Sequence, residues 1–186
     1  MPACRPALAG KLTGMQPDEL LADAFGRVQE TVHAVVAGLE ADDLAARLDP
    51  HANSIGWLVW HLTRVQDDHV AEVARHQQVW IAQGWADRLA LPYPPRATGY
   101  GHSSEQMAAF RVPSPDLLTG YHDAVYAQTL GYLAGLSASD LDRVVDRRWN
   151  PPVTLGVRLV SVIDDDAQHA GQAAFVRGVL DRRRAA

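Results

Sequence analysis

The stretch NSIGWLVWHLTRVQDDHV, residues Asn53–Val70, has the pattern of a buried amphipathic helix. Ser54 is a suitable N-cap, and apolar residues then recur at helical spacing to about His76. His61 is the exception in this pattern. It follows Leu58 by three residues and precedes Val65 by four, so it shares their face and is expected to point into the core.

Three further stretches show the same periodicity. They predict a first helix over Pro17–Leu39, a third over Ser114–Leu136 and a fourth that starts at Thr154 and continues past Leu180. No stretch alternates between apolar and polar residues as a strand does. The sequence therefore predicts an all-α protein.

A long segment, residues 77–113, separates the second and third predicted helices. Its glycine, proline and aromatic content excludes one continuous helix, although SSEQMAAF within it could form a short one. The segments GLEADDLAARL and GLSASDLDRVV are similar and predict a short helical turn in each half of the chain. We therefore expect a four-helix bundle of two helical hairpins joined by a crossover at 77–113. Residues 1–186 would form a single domain, with residues 1–16 as an N-terminal segment.

The composition limits the partners of the protein. A formal net charge of −5 argues against nucleic acid, which requires a basic surface. No apolar run is long enough to span a membrane, and the first residues lack the apolar core of a signal peptide, so a cytoplasmic protein is expected. Cys4 is the only cysteine, which leaves the eight histidines as the main candidates for metal ligands.

The fourth helix places three aspartates, Asp164 to Asp166, just before His169. Because consecutive helical residues are about 100° apart, these three carboxylates cannot all face outward while His169 faces inward. Asp165 lies one turn before His169, and helical geometry would also permit Asp166 as its partner. With His61 from the second helix, a His, Asp and His set would converge, and three protein ligands leave a position open, as in a catalytic zinc site.

Ordinary interpretations of these residues remain open. A histidine on an apolar face is commonly a core residue hydrogen-bonded to a carbonyl, and an aspartate four residues before a histidine occurs often by chance. The aspartate run could also be a solvated face. Three more histidines, His69, His102 and His122, are weaker candidates for the site, and His69 could be a partner of a ligand because it lies two turns after His61.

The SIGWLVWHL helix, the carboxylate-x-x-x-His pair that runs into HAGQ, and the two-hairpin layout resemble the DinB-like superfamily. The resemblance is closest to its actinobacterial branch, with mycothiol-dependent maleylpyruvate isomerase and mycothiol S-transferases. It implies a four-helix bundle, often a homodimer, that binds a divalent metal, with zinc expected first and nickel, manganese or iron as alternatives. The implied ligands are His61, Asp165 and His169, with aspartate where many relatives have histidine or glutamate.

The function implied by this resemblance is a metal-dependent S-transferase or isomerase that uses a low-molecular-weight thiol, mycothiol first, and an electrophile. Two alternatives are a metal-dependent hydrolase, in which the open position activates water, and a non-catalytic metal-binding protein of the stress response. No catalytic residue beyond the metal ligands is indicated. Three crossover aromatics, Trp85, Tyr93 and Tyr100, are expected to cover an apolar substrate.

Overall fold

The computed structural model describes residues 14–185, and its four long helices occupy the predicted stretches. In chain order, the elements are α1 (Pro17–Val36), α2 (Ala41–Ala45), α3 (Ile55–Ala74), α4 (Val79–Ala82), α5 (Trp85–Leu89), α6 (Ser104–Ala108), α7 (Pro115–Leu133), a 3₁₀ turn (Ala138–Asp142), β1 (Val144–Asp146), β2 (Val153–Thr154) and α8 (Leu155–Ala185). Most of the predicted N-terminal segment, with Cys4, lies outside the described residues. The division into one domain stays a prediction.

The helix boundaries follow the capping signals in the sequence. The Ser54 side chain accepts a hydrogen bond from the backbone N–H of Trp57 and so caps α3. At the other end of α3, Arg75 adopts a left-handed conformation with φ of 59°. The first helix ends at Val36 rather than Leu39, because Gly38 takes a positive φ of 67° that a helix cannot continue through.

The short helical elements agree with the sequence predictions, and the two short strands do not. The two predicted helical turns are present as α2 and the 3₁₀ turn, and α6 forms within SSEQMAAF as predicted. The expectation that no strand forms is wrong at one place, where β1 and β2 pair in an antiparallel ribbon. Strands of three and two residues are too short to show the alternation by which a strand is recognised.

The four long helices pack in a bundle in which α3 lies along both α7 and α8, and α1 lies along the same two helices. Each long helix of the first half therefore contacts both long helices of the second half. The interior is closely packed, and its largest fully buried apolar side chains include Trp60, Tyr121 and Phe25. Among residues 14–185, no helix is both long and apolar enough to cross a membrane.

A buried ion pair on α3 anchors the crossover at its start and near its middle. The Arg64 guanidinium lies 3.5 Å from the Asp67 carboxylate, and both side chains are almost completely buried. The two Asp67 oxygens accept hydrogen bonds from the backbone N–H groups of Val79 and Trp80, at 2.9 and 2.8 Å. Arg64 Nε donates to the carbonyl of Ala97 at 3.1 Å. Buried charges are tolerated only when they are paired and hydrogen-bonded. The Arg64–Asp67 pair therefore depends on the crossover, whose backbone supplies several of its hydrogen bonds.

A second polar pair lies in the core between α3 and α7. The Thr63 hydroxyl donates to the carbonyl of Val59, so its oxygen accepts from Nδ1–H of His122 at 3.1 Å. His122 is fully buried, and its Nε2 has no hydrogen-bond partner among the described residues. Burial lowers the pKa of His122 to about 4, which keeps its imidazole neutral in the folded protein.

This burial predicts a pH dependence of stability. The folded pKa of His122 lies below the unfolded value near 6.5, so its contribution is fully present above pH 6.5 and is lost as the pH falls toward 4. The loss amounts to up to about 3 kcal/mol of unfolding free energy. Urea unfolding of wild type and His122→Asn at several pH values measures it, with exposed His51→Asn as control. The same acid-induced loss in wild type and His122→Asn would contradict the prediction.

Candidate metal centre

The packing of α3 against α8 brings together the three residues that the sequence singled out. His61, Asp165 and His169 each offer a ligand atom, and these atoms lie within 4.8 Å of one another. The ring centroids of His61 and His169 are 4.7 Å apart. The structure thus places the three side chains in one cluster, and their binding of a metal stays a prediction.

Hydrogen bonds to the backbone fix the orientation of both imidazoles. His61 Nδ1 lies 2.6 Å from the carbonyl oxygen of Thr98, and His169 Nδ1 lies 2.8 Å from the carbonyl oxygen of Asp165. A carbonyl oxygen can only accept, so each Nδ1 must carry a proton. Each neutral ring then has its lone pair on Nε2. This is the arrangement in which metal-ligating histidines are generally held.

The Asp165 carboxylate supplies the third ligand atom. Its Oδ2 lies 3.4 Å from His169 Nδ1 without hydrogen-bond geometry, a contact that is an ion pair only when the imidazole is protonated. This oxygen is buried and has no hydrogen-bond partner among the described residues. A buried carboxylate oxygen without a donor is costly unless a cation binds it. Two imidazole nitrogens and one carboxylate oxygen are a donor set that zinc accepts, so the residues fit such an ion.

The electrostatics of the cluster suit a cation. Burial lowers the pKa of His61, although the hydrogen bond to Thr98 opposes this shift. Contact with the Asp165 carboxylate raises the pKa of His169. Burial alone would raise the pKa of Asp165, but the neighbouring His169 and His61 outweigh it, so that this pKa is lowered overall. Asp165 is therefore a carboxylate at neutral pH.

The three consecutive aspartates have three different environments. Asp164 is exposed and accepts a hydrogen bond from the Gln168 side chain at 2.8 Å. Asp166 is fully buried in the core, where neither carboxylate oxygen has a partner among the described residues, and burial raises its pKa well above the usual range. Asp165 is the one that joins the two histidines. Of the two partners for His169 that the spacing permitted, the geometry favours Asp165.

The crossover backbone passes directly over His61. Gly99 has φ of +97°, and a Cβ placed on it would lie 2.7 Å from His61 Nδ1 and 3.0 Å from the rings of Trp57 and Trp60. Only glycine fits this path without displacement. Trp57 also stacks on His61, at a centroid distance of 4.7 Å. The sequence analysis missed Thr98 and Gly99, because their role depends on where the crossover runs.

A cavity of 470 Å³ opens beside the cluster. Its lining residues come from α3, α8 and the crossover: His61, Val65, Asp68, His69, Thr98, Tyr100, Arg158, Ser161, Val162 and Asp165. Two metal-ligand candidates therefore form part of its wall. The other lining side chains combine polar groups with apolar Val65 and Val162, which suits a substrate that carries both apolar and hydrogen-bonding parts.

Only part of the aromatic cover expected from the crossover is present. Tyr100 lines the cavity and is 92% exposed. The expectation is wrong for Trp85, which packs against Gly120 and Tyr121 of α7 because its apolar ring is buried there. It is also wrong for Tyr93, which packs on Trp60.

The weaker histidine candidates have separate positions. His69 lines the cavity, and His102 accepts a hydrogen bond from Trp57 Nε1 at 3.3 Å, next to the His61 ring. His122 lies in the core, away from the cavity wall. Of these three, only His69 faces the cavity.

The chain is similar to a known protein family and to a solved structure. Residues 20–182 match the model of the mycothiol S-transferase family. The chain belongs to this family. A solved structure of a conserved protein from Enterococcus faecalis is similar, with a TM-score of 0.83 and 32% identity over 88% of this chain and 96% of that one. Comparison with the curated proteins finds no match. The family and the DinB-like bundle expected from the sequence are confirmed.

For this mycothiol S-transferase family member, the aspartate assignment can be tested by metal affinity. Asp165→Ala should weaken zinc binding by more than about 100-fold, since even the loss of an outer-shell partner of a metal site costs about 10–100-fold. Exposed Asp164→Ala is the matched control and should bind zinc like the wild type. Competition titration with a chromophoric chelator measures both. Zinc loss in Asp166→Asn but not in Asp165→Ala would show that the neighbouring aspartate is the ligand.

Proposed function

We propose that the protein is a metal-dependent S-transferase that joins mycothiol to an electrophile, with His61, Asp165 and His169 holding a divalent ion. The observation that carries the proposal is the cluster itself, at the wall of a cavity. Its two imidazoles hold their protons on Nδ1, and one Asp165 oxygen has no hydrogen-bond partner within residues 14–185. Family membership supports mycothiol and an electrophile as the substrates.

The ion and the assembly are finer points of this proposal. Zinc is preferred because two imidazole nitrogens and a carboxylate oxygen are among its usual ligands, while nickel, manganese and iron also bind imidazole and carboxylate. Three protein ligands leave room in the coordination sphere of such an ion. A homodimer and a cytoplasmic location stay predictions from the family resemblance and the sequence.

The bound ion would supply Lewis acidity that lowers the pKa of a thiol, so that the sulfur is a thiolate at neutral pH. Because a few per cent of a free thiol is already ionised at pH 7, this effect is limited to roughly a few tens of fold. The remaining acceleration must come from holding the electrophile against the sulfur in the cavity.

The residues of the chain have two tasks in this reaction. Thr98 and the Asp165 carbonyl hold the two imidazoles in the tautomer that leaves Nε2 free, and the crossover covers one side of the centre.

The sulfur then attacks the electrophilic carbon. With a chloroarene, a carbon–sulfur bond forms, the carbon–chlorine bond breaks, chloride leaves with the bonding electrons, and the thiol proton passes to solvent.

The proposal predicts thiol-dependent turnover that requires His61. Zinc-loaded wild type should conjugate mycothiol with chlorodinitrobenzene or a bimane reagent, and His61→Ala should lower kcat/KM by at least about 100-fold because a ligand is lost. His51→Ala, an exposed histidine in the loop before α3, is the matched control and should keep wild-type activity. Product formation is followed with mycothiol, with other small thiols and without thiol.

The other outcomes separate the alternatives. Equal rates in wild type and His61→Ala, or no thiol dependence with any electrophile, would contradict the transferase. Zinc-dependent, thiol-independent cleavage of ester or amide probes would indicate the hydrolase. Stoichiometric zinc binding without any turnover would indicate the non-catalytic metal-binding protein.

A further inference from the structure

Arg158 lines the same cavity as the metal-ligand candidates, in the first turn of α8. Its side chain is only 14% exposed. One terminal nitrogen donates to Asp146 Oδ2 at 3.1 Å, and the other donates to His69 Nδ1 at 3.1 Å. Its Nε has no hydrogen-bond partner among the described residues. A mostly buried guanidinium with unused donors at a cavity wall requires an explanation.

Neutralising Asp146 does not account for Arg158. Arg148, whose side chain is 79% exposed, already binds the two Asp146 oxygens with hydrogen bonds of 3.0 and 2.8 Å. Two guanidinium groups therefore face the one carboxylate of Asp146. A guanidinium has five N–H donors, and the two hydrogen bonds of Arg158 use two of them.

His69 adds a further donor beside Arg158. Its Nδ1 accepts from the guanidinium, so the neutral ring carries its proton on Nε2. Burial and the adjacent Arg158 lower the pKa of His69, which keeps the ring neutral. His69 also lines the cavity. Two carboxylates, Asp68 and Asp165, line the same cavity, and Asp68 accepts a hydrogen bond from the Gln78 side chain at 2.5 Å.

The backbone separation of Arg158 and His69 from the metal-ligand candidates follows from the two helices. Arg158 precedes Asp165 by seven residues on α8, and His69 follows His61 by eight residues on α3. At 1.5 Å per residue, the backbone positions are separated by roughly 10–12 Å along the cavity. The cavity therefore has a ligand set for a cation at one end and a fixed cation at the other.

We propose that Arg158, assisted by His69, binds a carboxylate that one of the two substrates carries. The proposal rests on the proposed function for the identity of the reaction. It makes the protein selective for an acidic electrophile or an acidic thiol, and Arg158 is the residue that determines this selectivity.

Equilibrium binding tests the site without turnover. Zinc-loaded, full-length protein is titrated calorimetrically with dinitrobenzoate and with its uncharged methyl ester. Wild type should bind the acid at least about tenfold more tightly than the ester, because a charge-assisted hydrogen bond contributes that much. The preference should disappear in Arg158→Gln and persist in Arg148→Gln, the matched guanidinium outside the cavity.

The same titration on His61→Ala separates this proposal from the proposed function. That variant lacks a metal ligand. If it still binds the acid more tightly than the ester, the carboxylate binds at Arg158 and not at the metal, whether or not the protein is a transferase. Loss of the preference in His61→Ala would mean that the acid binds at the metal, and would overturn the proposal. If Arg158→Gln does not fold, Asp146→Asn decides, because it keeps the guanidinium and removes its partner. An undiminished preference there supports the site, and a lost one contradicts it.

Kinetics identify which substrate carries the carboxylate. In one arm, mycothiol is held constant and chlorodinitrobenzoate is compared with its methyl ester. In the other, chlorodinitrobenzene is held constant and N-acetylcysteine is compared with its methyl ester. The arm in which the acid has a KM at least about tenfold lower than that of its methyl ester identifies the substrate that binds Arg158. This difference should be present in the wild type and absent in Arg158→Gln. Equal KM values for acid and ester in both arms would overturn the proposal.

Discussion

The structure depends most on one hydrogen bond, between His61 Nδ1 and the carbonyl oxygen of Thr98. The bond joins the crossover to α3 and also fixes the proton of His61 on Nδ1, which leaves Nε2 for a metal. It requires the backbone to pass so close to the imidazole that Gly99 is the only residue that fits. Arg64 holds the adjacent carbonyl of Ala97, so the path of the crossover is fixed by a buried charge.

Polar residues in the interior are costly, and in this bundle almost all of those near the centre have a partner. Arg64 and Asp67 satisfy each other and the crossover backbone, and Thr63 pairs with His122. In the part of the chain that the structure describes, the buried carboxylate oxygens without a hydrogen-bond partner lie on α8, at Asp165 and Asp166. The oxygen of Asp165 faces two imidazoles, and a bound cation would compensate for its burial. Asp166 lies deeper, and burial keeps its carboxyl group neutral instead.

The sequence was sufficient for the parts that depend on helical spacing. The four long helices, the inward position of His61 and a carboxylate about one turn before His169 follow from residues three or four apart. The choice of Asp165 over Asp166 required the structure. The position of Arg158 could not be inferred from the sequence, because it depends on contacts with Asp146 and His69. Asp146 lies on a ribbon too short to recognise in the sequence, and His69 lies on another helix. Thr98 and Gly99 were missed for a similar reason, since no periodicity predicts where a long connection passes. Trp85 was assigned to the cavity on its chemistry alone, but it is buried against α7.

The central claim is that the two imidazoles and the Asp165 carboxylate bind one metal ion, each imidazole through Nε2. X-ray absorption at the zinc edge of protein purified without added metal, then loaded with one equivalent of zinc, tests it most directly. The account predicts two imidazole nitrogens with their outer-ring scattering and a carboxylate oxygen, at about 2.0–2.2 Å. His61→Ala should lose one imidazole from this shell. A shell of oxygen atoms alone, or one unchanged in that variant, would contradict the account.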